Sequence, residues 1–414
     1  MRVHDDIHFC APARTVLGCG SRARLPALVE RMGLRRGVLV TDTFFTGHTP
    51  WVREYVEAAR ALGIETHVYD GGIPDPTTVL CDEATRSLRA ALGGAEVDHV
   101  IALGGGSNID LAKALCVTLP TGRPVREFAG ALPRQPRALP LIALPTTAGT
   151  GSEATPGAIL VDPDNATKIA VMDNALRPVI ALIDPEFTYT CPPRVTADAG
   201  IDALTHAVES FLTIDSRDYN REGNPDPGYS GRSALTMTFA RESIRLCADF
   251  LLRCYHDGSD EEARIGMAYA SYYAALSYGS AGLNAVHGIA YAVAGQTHKT
   301  HGSTNAVMLP YVLDAMREVR RDELIEVGRM FGIDGDDDAV LLETPRRMRE
   351  LVAALDIPSD LASFGIPRED LPALLEDALG VVRLAKAFPV PDVREAYARI
   401  IDNAWHGRLA ADAE

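Results

Sequence analysis

From residue 35 to about 185, short apolar runs alternate with segments whose apolar positions recur every three or four residues: GVLVTD, WVREYVEAARAL, ETHVYD, VLCDEATRSLRAAL, HVIALGGG, IDLAKALCVTL and PLIALPTT. Strand, helix and strand at this spacing predict βαβ units and a parallel sheet. Two further β-branched runs, KIAVM and VIALID, follow. Beyond Pro193 the alternation stops. In ADAGIDALTHAVESFL, SALTMTFARESIRLCADFLL and EARIGMAYASYYAAL the apolar positions keep the helical period, so the second half is predicted to be all helical. Pro185, Pro192 and Pro193 in PEFTYTCPPRVT interrupt both periods and mark the boundary. The expected organisation is an α/β domain with a parallel sheet over residues 1–190 and an all-α domain over 191–414. The segment SRDYNREGNPDPGYSG (216–231) reads as a surface loop inserted between two helices.

Length agrees with two domains, since 414 residues exceed one ordinary core of roughly 150 residues. The composition, 47% hydrophobic and 23% charged, is that of an ordinary soluble chain able to bury a full core. A formal net charge of −16 without any Lys/Arg block argues against a nucleic-acid partner held through its phosphates. The opening MRVHDDIHFCAPARTVLGCG carries charges where a secretory signal needs an apolar run, and no apolar stretch reaches the roughly 18 residues of a membrane span. A cytoplasmic protein without a membrane partner is expected. The seven scattered cysteines include no C-x-x-C pair, so buried free thiols are expected in place of disulfides or a zinc ribbon.

Chemistry gathers at two places. In HVIALGGGSNIDLAKAL a buried strand runs into Gly104, Gly105 and Gly106 and then a helix; such a turn lets backbone and Ser107 approach a pyrophosphate at the positive end of the helix dipole. PTTAGTGSE (145–153) follows another strand and offers the hydroxyls of Thr146, Thr147, Thr150 and Ser152, forming with the first loop the crevice in which open α/β sheets bind ligands. Asp42, ending VLVTD, stands where an acidic residue accepts hydrogen bonds from an adenosine ribose and repels a 2′-phosphate, which favours NAD(H) over NADP(H); capping of the next turn is the alternative. GCGSRA (18–23) matches a dinucleotide pattern by letter only. In the helical half, Asp202 and His206 of AGIDALTHAVESF stand four apart on one helix face. Two histidines from HGIAYAVAGQTHKTHG (287–302) would complete a set of one oxygen and three nitrogens, which suits Fe(II) or Zn(II) and leaves a position open for substrate.

With these residues in place, the chain resembles the iron-containing (group III) alcohol dehydrogenase family. GGGSNIDLAK is similar to that family's GGGSxxDxAK, PTTAGTGSE to PTTxGTGSE, GIDALTHAVES to GxDALTHAxE, and VHGIAYAVAG with THG to its two late histidine motifs. The likeness runs over roughly residues 10 to 400. It implies the dehydroquinate synthase-like fold, with an active site in the cleft between the domains. It implies Asp202, His206, His287 and His301 as metal ligands, and no ligand role for His298. For the cofactor it implies Asp42 at the ribose, Gly105, Gly106 and Ser107 at the pyrophosphate, Thr146, Thr147 and Thr150 around phosphate and nicotinamide, and Lys168 on the ribose side. Asp75, where many members have asparagine, is expected near the adenosine end, and GCGSRA is displaced as a cofactor loop by an ordinary strand-turn-helix. Tyr291 stands where many members carry a histidine near the nicotinamide, which leaves Tyr291, His298 or water to move the proton.

The expected reaction is reduction of an aldehyde by NAD(P)H to a primary alcohol, with Fe(II), alternatively Zn(II), and with a short polar substrate. Phosphonoacetaldehyde going to 2-hydroxyethylphosphonate is the anionic candidate. The insertion 216–231 is similar to one in the hydroxyacid-oxoacid transhydrogenase branch; its Arg217 and Arg221, with Arg232, are candidates to meet an anionic substrate tail, solvation being the alternative. Transhydrogenation is one rival reaction. A dehydroquinate synthase-like lyase, the other, needs a dense lysine and arginine set that the metal motifs lack, and a metal-free binding protein would need a broken ligand set. The resemblance implies a homodimer or larger homo-oligomer.

Overall fold

The strands of the first half are β1 (Arg14–Leu17), β2 (Arg36–Val40), β3 (Glu65–Tyr69), β4 (His99–Gly104), β5 (Leu141–Pro145), β6 (Gly157–Asp162), β7 (Thr167–Met172) and β8 (Ile180–Ile183). In the computed structural model, which describes residues 6–129, 132, 137–164 and 167–412, six of them form one parallel sheet in the order β1-β8-β5-β4-β2-β3. Side chains alternate between its faces. Val38, Val40, Val100, Ala102, Leu141 and Ala143 point into one core with α4 (Thr78–Ala91) and α5 (Gly106–Thr121), while Leu39, Ile101, Leu103, Ile142 and Leu144 point into the other with α1 (Leu25–Arg31) and α3 (Trp51–Ala61). Burial on both faces explains why these strands read as continuous apolar runs. The pair β6 and β7 forms a separate antiparallel hairpin.

Two strands escape the sequence pattern for physical reasons. RTVL of β1 is a four-residue edge strand with two exposed positions, and GAILVD of β6 buries only every second residue. GCGSRA follows β1 and leads through a 3-10 turn into α1. Its amides are occupied internally, because Gly20 N and Arg22 N both donate to the Asp184 carboxylate.

Helices take over with α6 (Pro193–Leu212), α7 (Ala234–His256), α8 (Glu261–Ala281), α9 (Ala285–Thr297) and α10 (His301–Ala315). Six more run from α11 (Arg321–Met330) to α16 (Val393–His406), among them the single turn α15 (Val382–Ala385). The chain divides into two compact units: Cys10–Tyr189 with Asp226–Gly228, and Met1–Phe9 with Thr190–Pro225 and Tyr229–Glu414. Among the described residues no helix is long and apolar enough to cross a membrane.

The segment between α6 and α7 has no helix or strand of its own, yet its ends are pinned. Arg232 N donates to Ile214 O at 2.8 Å and Ser216 N to Arg232 O at 2.9 Å. The Arg232 side chain is buried; it pairs with Asp215 at 3.0 Å and Glu323 at 2.7 Å and donates to Phe211 O at 2.9 Å. Arg232→Met strands Glu323 and leaves Asp215, a third exposed, to Arg320 alone. It is therefore expected to lower unfolding free energy by about 3 kcal/mol, the lower end for breaking a buried pair, measured by urea titration; a change near zero would show that solvent takes over the pairing.

Candidate functional site

Three turns of helix set the geometry of the helical unit's centre. Asp202 and His206 lie one turn apart on α6, within the run from Gly200 to Leu212 that is buried throughout. His287 stands in the first turn of α9, and His301 begins α10. α10 meets α6 closely because Gly302 has no side chain: a Cβ there would lie 2.0 Å from Asp198 O. Ser303 Oγ adds a hydrogen bond to Asp198.

One ligand atom from each of Asp202, His206, His287 and His301 lies within 4.8 Å of all the others. Asp202 Oδ1 is 3.8, 3.7 and 3.8 Å from Nε2 of His206, His287 and His301. Ligands about 2.1 Å from one tetrahedral ion lie about 3.4 Å apart, so a small contraction seats an ion. Asn305 Nδ2 points at the same spot, 2.8 Å from Asp202 Oδ1, 3.0 Å from His287 Nε2 and 3.3 Å from His301 Nε2. The other end of that amide, Oδ1, is buried without a partner. Converging lone pairs that draw in the nearest donor fit a cation, and imidazole with carboxylate suits Fe(II) or Zn(II).

Charge states suit that reading. Burial raises the Asp202 carboxyl, but the three imidazoles and the Asn305 amide overcome this and hold it below its ordinary value. Burial pushes His287 down to about 4 against the attraction of Asp202, with the charge of Arg383 adding to the depression, so the ring is neutral as a ligand must be. Its orientation comes from Glu209, one turn past His206: Oε2 meets His287 Nδ1, leaving Nε2 for the ion. Oε1 of the same carboxylate accepts from Val286 N at 2.8 Å and Asn284 N at 3.1 Å, so Glu209 also caps α9. Burial pushes Glu209 up to about 7, opposed by those amides. Rings stack around the centre, His206 between Tyr278 at 4.2 Å and His287 at 4.7 Å. Tyr291 stacks on His301 at 5.5 Å. His298 is exposed and ends α9 in a left-handed conformation (φ +54°).

In the α/β unit, β2 and β4 are neighbours whose chains proceed to opposite edges of the sheet, and such a switch point opens a crevice at the carboxyl ends of the strands. Asp42 follows β2, and Gly104 ends β4 with Gly105 to Ser107 after it. Gly104 has φ +148°, and a Cβ on it would lie 2.1 Å from Asn108 Nδ2; one on Gly106 would lie 2.7 Å from Thr150. The glycines thus let the two loops meet, and a Cβ on Gly105 would lie 3.6 Å from Thr147. No side chain caps the N-terminus of α5 at Gly105, which leaves first-turn amides for a phosphate. Thr146 is buried, its N–H donating to Gly104 O at 3.0 Å.

Asp42 fills the capping role that was the alternative reading of it. It caps α2 (Thr43–His48) by accepting from Phe44 N at 2.9 Å, and its other oxygen accepts from Asn108 Nδ2 at 2.7 Å at the switch point. Asp75, in a left-handed conformation (φ +49°), donates its N–H to Ser107 Oγ at 3.2 Å and pairs with Lys168 Nζ at 2.7 Å. Expected cofactor residues from four separate segments are thereby joined.

Several residues with a clear part in these geometries were not singled out from the sequence. Glu209 and Asn305 stand one helical turn from His206 and His301, a spacing that is a signal available in the sequence. Lys113 is fully buried and donates to Ser152 Oγ at 2.9 Å, Thr155 Oγ1 at 3.2 Å and Gly157 O at 2.8 Å; Asp110 accepts from Ser152 Oγ at 2.5 Å. Together they fasten the glycine loop to the threonine loop. The arginines of the insertion are otherwise engaged: Arg217 with Asp218, Arg221 with Asp6, and Arg232 as described.

A candidate metal centre among helices and a dinucleotide-type sheet end are features of a metal-dependent, nucleotide-linked oxidoreductase. Family models described as iron-containing alcohol dehydrogenase and as Fe-containing alcohol dehydrogenase family, C-terminal, match residues 12–185 and 228–405. Long-chain-alcohol dehydrogenase 1 of Geobacillus thermodenitrificans is 34% identical over 96% of each chain, and NAD-dependent methanol dehydrogenase of Bacillus methanolicus 28% over 96% of this chain and 99% of its own. A solved 1,3-propanediol oxidoreductase superposes with a TM-score of 0.87 at 25% identity, covering 97% of this chain and all of that one. The chain belongs to the iron-containing alcohol dehydrogenase family and is an oxidoreductase acting on CH–OH groups.

Glu209→Gln tests the orienting hydrogen bond. Losing such a carboxylate beside a ligand histidine is expected to weaken Zn(II) binding about 10- to 100-fold, read by chelator competition; unaltered affinity would mean that packing alone orients His287.

Proposed function

We propose that this protein reduces a short polar aldehyde to the primary alcohol with NADH, reversibly, and that the aldehyde is anionic, with phosphonoacetaldehyde the candidate. The carrying observation is the convergence of Asp202, His206, His287 and His301 on one point, with His301 31% exposed and the others 5% or less. Fe(II) or Zn(II) held there supplies a Lewis acid for the carbonyl oxygen, and the nicotinamide supplies the hydride. Glu209 keeps the Nε2 face of His287 toward that point. Tyr291, stacked on the accessible ligand, is the side chain suited to pass a proton to or from the substrate oxygen; exposed His298 is less suited. The uncapped start of α5 with Gly105, Gly106 and Ser107 receives the pyrophosphate, Thr146, Thr147 and Thr150 flank it, and Lys168 with Asp75 lies toward the ribose and adenosine.

Asp42 supports the choice of NADH, because its carboxylate at the switch point repels a 2′-phosphate. Asp42→Asn keeps a capping side chain and removes the charge. The NADH-over-NADPH ratio of kcat/KM is expected to fall roughly tenfold, or about 1.4 kcal/mol; an unchanged ratio would remove Asp42 from cofactor choice.

The reaction itself is tested by chelating the protein, reconstituting it with Fe(II) or Zn(II), and following NADH oxidation with a series of small aldehydes. Activity is expected to vanish on chelation and return with metal. Continued turnover on aldehyde alone separates reduction from transhydrogenation, which stalls without an oxoacid. If no aldehyde is reduced by the reconstituted protein, the proposal fails.

A further inference from the structure

We propose that Arg383 binds the anionic group of the substrate, which makes the preferred aldehyde one that carries a phosphonate, sulfonate or carboxylate close to its carbonyl. The inference rests on the reductase reading above and adds the residue that selects among aldehydes. It starts from the least buried of the four candidate ligands. His301 is 31% exposed, and Tyr291 stacks on its ring at 5.5 Å. The Arg383 guanidinium carbon lies 5.6 Å from the centre of that same tyrosine ring. Ligand, aromatic ring and guanidinium are therefore consecutive neighbours, all within the helical unit.

What separates Arg383 from the other cations of this region is its lack of a partner. Arg232 and Arg320 share Asp215, Arg221 pairs with Asp6, and Lys386, one turn along from Arg383, pairs with Glu222 at 2.7 Å. Among the described residues no carboxylate lies within ion-pair distance of Arg383, and its Nε is buried with no acceptor. A buried donor on a charged group left unmade is unfavourable by more than the ring contact with Tyr291 returns. Such a group calls for an acceptor from outside the chain. The planar guanidinium offers a fork of N–H donors that matches two oxygens of a phosphonate, sulfonate or carboxylate, while the tyrosine face fixes its plane. A neutral aldehyde leaves that fork unfilled.

The test uses the metal-reconstituted protein with NADH and compares wild type, Arg383→Gln and Arg383→Lys on phosphonoacetaldehyde and sulfoacetaldehyde against propionaldehyde and glycolaldehyde. Wild type is expected to prefer the anionic pair. In Arg383→Gln the anionic-to-neutral ratio of kcat/KM should fall about tenfold or more, mainly through KM, as expected for a lost charge-assisted hydrogen bond, and Arg383→Lys should recover part of it. Calorimetric binding of 2-hydroxyethylphosphonate should weaken in the same order. A ratio unmoved in Arg383→Gln overturns the assignment of Arg383 and leaves the proposed function standing; a wild type that prefers neutral aldehydes overturns Arg383 and the anionic substrate together and leaves only aldehyde reduction. A wild type that reduces none of the four overturns both.

Discussion

A carboxylate buried among imidazoles is the constraint around which the helical unit is organised. Asp202 is only 3% exposed and has three ring nitrogens within 3.8 Å, each offering a lone pair when its ring is neutral with the proton on Nδ1. A cation at that point would give each lone pair a destination. Neighbouring features serve the same convergence. Glu209 turns His287 and caps the helix that carries it, and Gly302 lets α10 come against α6 so that His301 reaches its place.

The α/β unit solves a different problem, the presentation of uncompensated backbone amides. Glycines at 104 and 106 remove the side chains that would collide with Asn108 and Thr150, so the strand-to-helix turn and the threonine loop lie together. Lys113, buried and lowered to about 8 by desolvation despite the nearby Asp110, ties them from beneath through Ser152 and Thr155. Buried hydrogen bonds of Lys113 and Asp110 thus hold the two loops together. GCGSRA shows the contrary case: its amides already hold Asp184, so its glycines serve the chain itself.

Much of this was legible in the sequence. The strands buried on both faces announced themselves as apolar runs, the helices by their period, and the candidate ligands through motifs whose residues share a helix turn or a helix start. Glu209 and Asn305 were within reach by the same spacing argument, but a carboxylate or amide one turn from a histidine is common on helix surfaces, and only burial gives it meaning. β1 and β6 were not legible because an edge strand and a half-exposed hairpin lack the continuous apolar signal. The insertion arginines illustrate the limit from the other side, since charge count suggested an anion site and the fold pairs each of them with a carboxylate.

By itself the sequence determined the sheet-then-helices order and the glycine and threonine turns, because each depends on neighbours within a few residues, whereas the choice of His287 and His301 among the late histidines came from the family resemblance. Tertiary structure decided which charges are spent internally and which are not. Arg232, prominent in the sequence, is absorbed by Asp215 and Glu323, whereas Arg383, in the unremarked stretch VVRLAK, lies beside Tyr291 and has no counter-ion among the described residues. Ion pairing joins residues far apart in the chain at distances of a few ångströms, and no local pattern encodes which partners will meet.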